Sequence, residues 1–235
     1  MYVRAARTIL NYAIEQGVMD AARYPFNKGG YKPPVGENIK KALTIDQVRS
    51  LATYTPENDK ERMYRDFWLL SYLCNGANIV DLLKLTTASI RDNTIIFRRQ
   101  KTKRTKRGNQ KSVVVTLSKQ VRDIIETHGD IDSEGYIFPY LKQEYSEKEM
   151  LMKTKLFIKL VNKYINRIAK KVGIDVHITT YTARHSYATI MKRAGVPIAF
   201  ISDSLGHSDI RITERYLAGF EDEYRAKVSE ALTDW

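Results

Sequence analysis

Residues 146–172 carry apolar side chains at Phe157, Leu160, Val161, Tyr164, Ile165, Ile168 and Val172, a three-and-four spacing set in an otherwise polar run. That period marks one face of a long α-helix. So long a stripe needs an apolar counterpart, and the chain is expected to consist chiefly of helices packed around it. The remaining pattern agrees. In "LTIDQVRSL", Thr44 and Gln47 have the spacing of a capping box; "RDFWLLSYLC" reads as helix and "NGANIVDLLKL" as its turn. Two stretches, "NTIIFRRQK" and "KSVVVTL", read as strands flanking "TKRTKRGNQ", a long basic hairpin. From Thr179 the chain reads as short helices, with Gly195 and Pro197 supplying a stop and a start. The expected fold class is mostly α with a small antiparallel β-sheet (α+β).

Ahead of this body, "VRAARTILNYAIEQG" sets Val3, Ala6, Ile9, Leu10, Ala13 and Ile14 in a helical stripe that ends at Gly17. Residues 24–40 are rich in Gly and Pro, show no periodicity and read as a linker. A single helix cannot bury its own apolar face, so this one is expected to belong to a second domain or to dock on the main body. The expected organisation is a helix within residues 1–22, a linker at 23–40 and a main domain at 41–235. A last stripe, Phe220, Tyr224, Val228 and Leu232, marks a C-terminal helix.

Lys and Arg number 39 against 27 Asp and Glu, a net charge of +12. This excess points to a polyanion, and to nucleic acid before membrane, because no long apolar run is present. "MYVRAARTIL" places arginines where a secretory signal needs an apolar core. One cysteine, Cys74, excludes an internal disulfide and a cysteine-based zinc site. His128, His177, His185 and His207 lack metal-ligand spacing. No metal or other cofactor is expected, and a reducing cytoplasm is the expected compartment.

Four features carry chemistry. Arg184, in "TYTARHSYAT", lies near the start of a predicted helix, and a guanidinium can grip a phosphate through two hydrogen bonds. His207 follows in "LGHSD", Tyr216 comes nine residues later, and Lys101 ends the strand that opens into the hairpin. Each has an ordinary reading. An arginine on a helix is usually solvated, a histidine after glycine often caps, and most of 15 tyrosines simply pack. The hairpin run "RRQKTKRTKRGNQK" has eight Lys or Arg and no acid, which favours phosphate contact by Arg98, Lys103, Arg104, Lys106, Arg107 and Lys111.

Order and spacing decide where single residues do not. The block "TYTARHSYATIMKRAGVPIAFISDSLGHSDIRITERYL" resembles the C-terminal signature of the tyrosine recombinases, the phage integrase family. There an Arg-His-x-x-Ala-Thr helix is followed by Leu-Gly-His and, nine residues on, by a nucleophilic tyrosine. The likeness spans roughly residues 41–235, the family's catalytic domain, and the first segment resembles the last helix of its core-binding domain. The resemblance implies that the Tyr216 hydroxyl attacks a DNA phosphodiester, giving a 3′-phosphotyrosyl link and a free 5′-hydroxyl, with neither ATP nor metal. Arg184 would stabilise the pentavalent phosphate. His207 would hydrogen-bond a non-bridging oxygen or help take the tyrosine proton. Lys101 would protonate the leaving 5′-oxygen. The last helix, 220–232, would dock on a neighbouring subunit in a tetramer on double-stranded DNA, with accessory DNA-bending proteins as possible partners.

Two positions depart from that pattern. In "NGANIVDL", Asn78 stands where the family's first catalytic arginine belongs, while Asp81 keeps the acidic position. An amide donates a hydrogen bond but brings no charge. Arg99 is expected to fill the place: it precedes Lys101 by two residues, so strand alternation puts both on one face and Arg98 on the other. The second departure is Tyr181, where the family has His or Lys; its phenol could hydrogen-bond a phosphate oxygen or simply pack. Two competing readings stand beside recombination of a mobile element. A non-catalytic DNA-binding protein could use "ATIMKRAGVPIAFISDSLGHSDIRIT" as a helix-turn-helix. A type IB topoisomerase would share the tyrosine chemistry.

Overall fold

The computed structural model describes residues 2–27, 30–31, 42–100, 111–207 and 209–217, with Arg4, Arg215 and Tyr216 described by backbone only. The chain divides into two compact units, Met1–Ile39 and Lys40–Trp235. In the first, α1 (Tyr2–Glu15) ends at Gly17, whose φ of +69° suits glycine. Asp20 then caps a short 3-10 turn, Ala21–Arg23, by accepting from the Ala22 N–H at 2.9 Å. The described part of the Gly- and Pro-rich stretch is folded. Tyr31 N–H donates to the Pro25 carbonyl at 2.8 Å, and Phe26 lies edge-on to Tyr24 and Tyr31.

The second unit is mostly helical with one small sheet. Thr44 opens α2 (Ile45–Thr53) through the expected capping box with Gln47. Helix α3 (Asp59–Leu73) is the centre of the unit. Tyr64, Phe67, Trp68, Leu69, Leu70 and Ser71 are all buried, so its C-terminal half is covered on nearly every side. It packs against α5 (Lys119–His128), α6 (Glu147–Lys171) and α7 (Thr180–Arg193). The long stripe of the sequence is α6, capped by Ser146 and Glu149. Its Phe157, Val161, Ile165 and Ile168 are buried. Phe157 is enclosed edge-on by Tyr64, Phe67 and Tyr140, with ring centroids 5.4, 4.7 and 4.3 Å away.

Polar groups inside this core are paired, as burial requires. Glu61 accepts from the Tyr54 hydroxyl, the Glu57 N–H and Lys171 Nζ. Burial raises its pKa, but those three donors outweigh the effect and hold the carboxyl below its ordinary value. Asp66 accepts from Arg65 and lies 2.8 Å from His128 Nε2.

After the short α4 (Ile79–Leu82), the chain forms an antiparallel sheet in the order β1–β2–β3: Ile90–Arg91, Thr94–Arg98 and Ser112–Thr116. Ile95 faces Val115 and Phe97 faces Val113; all four are buried, while Arg98 and Val114 point outward. The two-residue β1 was not expected from the sequence. The expected strand "NTIIFRRQK" is also shorter than read: its last ladder pair is Arg98 with Ser112, because the Gln100 N–H turns away to Asp81 Oδ1 at 2.8 Å. The hairpin tip, with Lys101, Lys103, Arg104, Lys106 and Arg107, lies outside the described residues, as does the stripe Phe220–Leu232. Among the described residues no helix is long and apolar enough to cross a membrane.

Among the described residues the C-terminal third packs as three helices: α7, α8 (Ile198–Ser204) and α9 (Ile210–Tyr216). Tyr187, Ala188, Ile201, Leu205 and Leu217 form their own small core. The entry to α7 is held from behind. Trp68 Nε1 donates to the Thr179 carbonyl at 3.0 Å, Asn162 accepts from the Thr180 N–H at 2.8 Å, and the Asn166 amide bonds both backbone groups of Ile178. These bonds fix the register of α7, and with it the direction in which Arg184 leaves the helix.

Candidate active site

Arg184 sits in the second turn of α7 and points inward, only 4% exposed. A buried guanidinium is tolerated only with its donors satisfied. Nη1 donates to the Gly76 carbonyl at 2.8 Å, and Nη2 to the Leu205 carbonyl at 2.6 Å and to His207 Nε2 at 3.0 Å. The anchors are thus two main-chain carbonyls and an imidazole, acceptors that leave the cation its charge.

Both carbonyls come from tight glycine turns. At the end of α3, Asn75 and Gly76 both take positive φ, 55° and 65°, and Asn75 Nδ2 ties the turn to the sheet at the Val114 carbonyl. A Cβ on Gly76 would lie 2.7 Å from Arg184 Cα, so glycine is needed for contact as well as for φ. At the end of α8, "LGH" forms a Schellman cap: Gly206 N–H donates to the Asp203 carbonyl at 2.8 Å and His207 N–H to that of Ser202 at 2.9 Å. This cap aims the Leu205 carbonyl at Arg184 and the Gly206 carbonyl at Arg99, whose Nη1 donates to it at 3.2 Å.

Arg99 therefore reaches the same place from the sheet. It follows β2 directly and continues the inward alternation of Ile95 and Phe97, while Arg98 is exposed. Arg99 and Arg184 line one narrow cleft with Asn75, Ala77, Asp81, Phe97, Val113, Ser204 and Leu205. Asp81 organises its floor, accepting from Asn78 Nδ2 at 3.2 Å as well as from Gln100 N–H. Burial raises the Asp81 pKa, offset in part by those two bonds and by the charges of Arg99 and Arg184. Asn78 is thus engaged with Asp81, and the second cation of the cleft is Arg99.

His207 is nearly buried and lies between Arg184 and Thr213, its Nδ1 2.8 Å from the Thr213 hydroxyl. Burial, reinforced by the Arg184 and Arg99 charges, pulls its pKa from 6.5 to about 4. The ring is neutral at pH 7. Thr213 belongs to α9, the helix that ends on Tyr216. Two guanidinium groups and a neutral imidazole are so brought together beside the helix that ends on Tyr216, a set suited to holding a phosphate diester.

The phage integrase family profile matches residues 41–223 of the chain. The chain belongs to the phage integrase family. Among curated relatives, tyrosine recombinase XerA of Pyrococcus horikoshii is 28% identical over 204 residues, covering 85% of this chain and 64% of the relative. Tyrosine recombinase XerD of Staphylococcus epidermidis is 27% identical over 197 residues, covering 78% and 60%. The chain thus spans less than two thirds of the length of either. The fold matches that of the Tn1549 transposon integrase in complex with transposon right end DNA, with a TM-score of 0.64 at 18% identity over 97% of this chain and 76% of that one. It also matches a lambda integrase dimer bound to a COC′ core site, with a TM-score of 0.56 at 15% identity over 92% and 73%.

Within this phage integrase fold, the other residues singled out from the sequence are dispersed. Tyr181, in the first turn of α7, is 54% exposed, and its ring meets His185 edge-on at 4.5 Å. Lys111 pairs with Asp203 at 2.8 Å on the surface. Three contributors escaped the sequence reading. They are Thr213, the glycine seat at Gly76, and the Asp81 bond to Gln100 N–H. The first left a signal, since Thr213 precedes Tyr216 by one helical turn; the others join residues far apart in the chain.

Proposed function

We propose that this chain is the catalytic part of a site-specific DNA recombinase. It cleaves and rejoins double-stranded DNA through a 3′-phosphotyrosyl link to Tyr216, serving integration or excision of a mobile element. The observation that carries the reading is the convergence of Arg184, Arg99 and His207 beside the helix that ends on Tyr216. In this reading the two guanidinium groups stabilise the pentavalent phosphate and Lys101 protonates the leaving 5′-oxygen. Arg99 supplies the charge that Asn78 lacks, and Tyr181 is at most an outer hydrogen-bond partner. Residues 41–235 act as the catalytic domain, with residues 1–22 as the end of a core-binding domain. The basic hairpin tracks the DNA backbone, and segment 220–232 links neighbouring subunits in a tetramer. A cytoplasmic protein assembled on DNA, with or without bending factors, is the corresponding setting.

The test is a nicked duplex taken from DNA flanking the gene, built so that the cleaved end diffuses away and the covalent intermediate accumulates. A denaturing gel should show a protein–DNA adduct with the wild type and none with Tyr216→Phe. Firm binding without an adduct would instead favour the non-catalytic DNA-binding reading.

A further inference from the structure

His207 is held between two partners of different chemistry. A guanidinium can only donate, so the 3.0 Å contact with Arg184 Nη2 requires a lone pair on Nε2. In a neutral ring the proton then sits on Nδ1, and Thr213 Oγ1, 2.8 Å away, accepts it. Among the described residues, the charged groups facing the ring are Arg184 from α7 and Arg99 from the end of β2; α8 offers the Ser202 carbonyl to the backbone N–H. Both cations oppose protonation. Thr213 is fully buried, and it lies three residues before Tyr216, so positions 213 and 216 share one face of α9. The chain just beyond is pinned as well, with Lys192 Nζ donating to the Leu217 carbonyl at 2.7 Å. Tyr181, placed by the family resemblance where a His or Lys is usual, is an exposed phenol.

We infer that Thr213 is a positioning residue that holds His207 in the one tautomer able to take the Tyr216 hydroxyl proton. This rests on the reading of Tyr216 as the nucleophile. An entering phosphodiester draws the Arg184 donors to its oxygens and frees the Nε2 lone pair. The Tyr216 proton passes to Nε2 as the phenolic oxygen bonds to phosphorus. The bond from phosphorus to the 5′-oxygen breaks, its electron pair leaves on that oxygen, and Lys101 supplies the proton there. The imidazolium keeps the tyrosine proton until rejoining reverses the step. The phosphate charge offsets the two guanidinium groups, which makes the ring more basic with substrate in place than without it.

Two measurements on the whole chain test this together: nitrogen NMR of the His207 ring in the free protein, and single-turnover adduct formation on the nicked duplex across pH. Wild type and Thr213→Ser should show the proton on Nδ1, and Thr213→Val a mixture of tautomers. Adduct formation should fall about 10²-fold or more in Thr213→Val and His207→Gln. It should recover in Thr213→Ser, and in His207→Gln as the pH is raised. A wild-type ring protonated on Nε2 overturns the inference. So does a His207→Gln rate equal to wild type, because glutamine can donate to a phosphate oxygen but cannot take a proton. In that second case Tyr216 still stands as nucleophile, whereas a silent wild type removes both readings. If Thr213→Val does not fold, the wild-type ring and His207→Gln decide.

Discussion

Arg99 runs over Gly206 at a place where no side chain fits: a Cβ at 206 would stand 2.8 Å from Arg99 Cδ and equally close to Val113 Cγ2. Gly206 also has a φ of +64°. Gly206→Ala therefore combines a backbone cost of about 1 kcal/mol with an overpacking cost of about 1–3 kcal/mol. Cleavage should be lost with it, since Arg99 must move. Gly195 is the control, with a φ of +77° and nothing within 4 Å of its missing Cβ. Gly195→Ala should cost about 1 kcal/mol in a urea titration and leave adduct formation intact. Equal effects at the two sites would mean that Gly206 serves the turn alone.

The two arginines should be indispensable together. Arg99→Ala and Arg184→Ala are each expected to lower the single-turnover rate by about 10²–10³ or more. Arg98→Ala, on the outward face of β2, should weaken DNA binding and leave the rate of bound complexes within a few-fold. A damaging Arg98→Ala beside a silent Arg99→Ala would reverse the assignment. Arg184→Lys should fail too, because one ammonium cannot replace a planar fork that spans the Gly76 and Leu205 carbonyls.

Stability should fall on the acid side for a reason specific to His207. The folded ring binds its proton only near pH 4, against 6.5 for the ordinary group. The unfolded chain therefore takes up the proton first as the pH drops. The contribution is complete above pH 6.5 and shrinks as the pH falls toward 4. Asp81 works in the opposite sense, since its folded pKa is raised and its share is lost as the pH rises through that value. Melting curves of the wild type should thus decline more steeply across this window than those of His207→Gln. Parallel declines would show that the ring is not held neutral.

DNA binding should be steeply salt-dependent, and the hairpin should carry much of the slope. Each phosphate contact removed by replacing Lys103, Arg104, Lys106 or Arg107 with Gln should reduce the log–log salt slope by about 0.9. Lys111→Gln should change it less, because that ammonium already pairs with Asp203. An unchanged slope after all four replacements would take the hairpin off the DNA.

The long helix α6 was legible because its stripe is local, with Phe157, Val161, Ile165 and Ile168 all within three turns, and the Thr44–Gln47 cap was legible for the same reason. The inward direction of Arg99 was legible from alternation, although the strand itself stops one residue earlier. What stopped it is Asp81, nineteen residues upstream, and no local pattern encodes that bond. The Gly76 seat was equally hidden, since a glycine after an asparagine reads simply as a turn until α7 is laid against it. Thr213 lay between these cases. Its helical spacing to Tyr216 could be counted, but its partner could not.

The two arginine anchors cross the chain in opposite directions. Arg184 rests on a carbonyl 108 residues before it, and Arg99 on one 107 residues after it. Up to the end of α6, a growing chain holds one guanidinium and one glycine turn that are not each other's partners. Only when α7 and α8 arrive do both pairs close, and they close against the same small three-helix core. Contacts of such long range form late when loop closure limits folding. The paired arginines are therefore withheld from every unfinished chain, and their closure reports that synthesis and folding have passed α8.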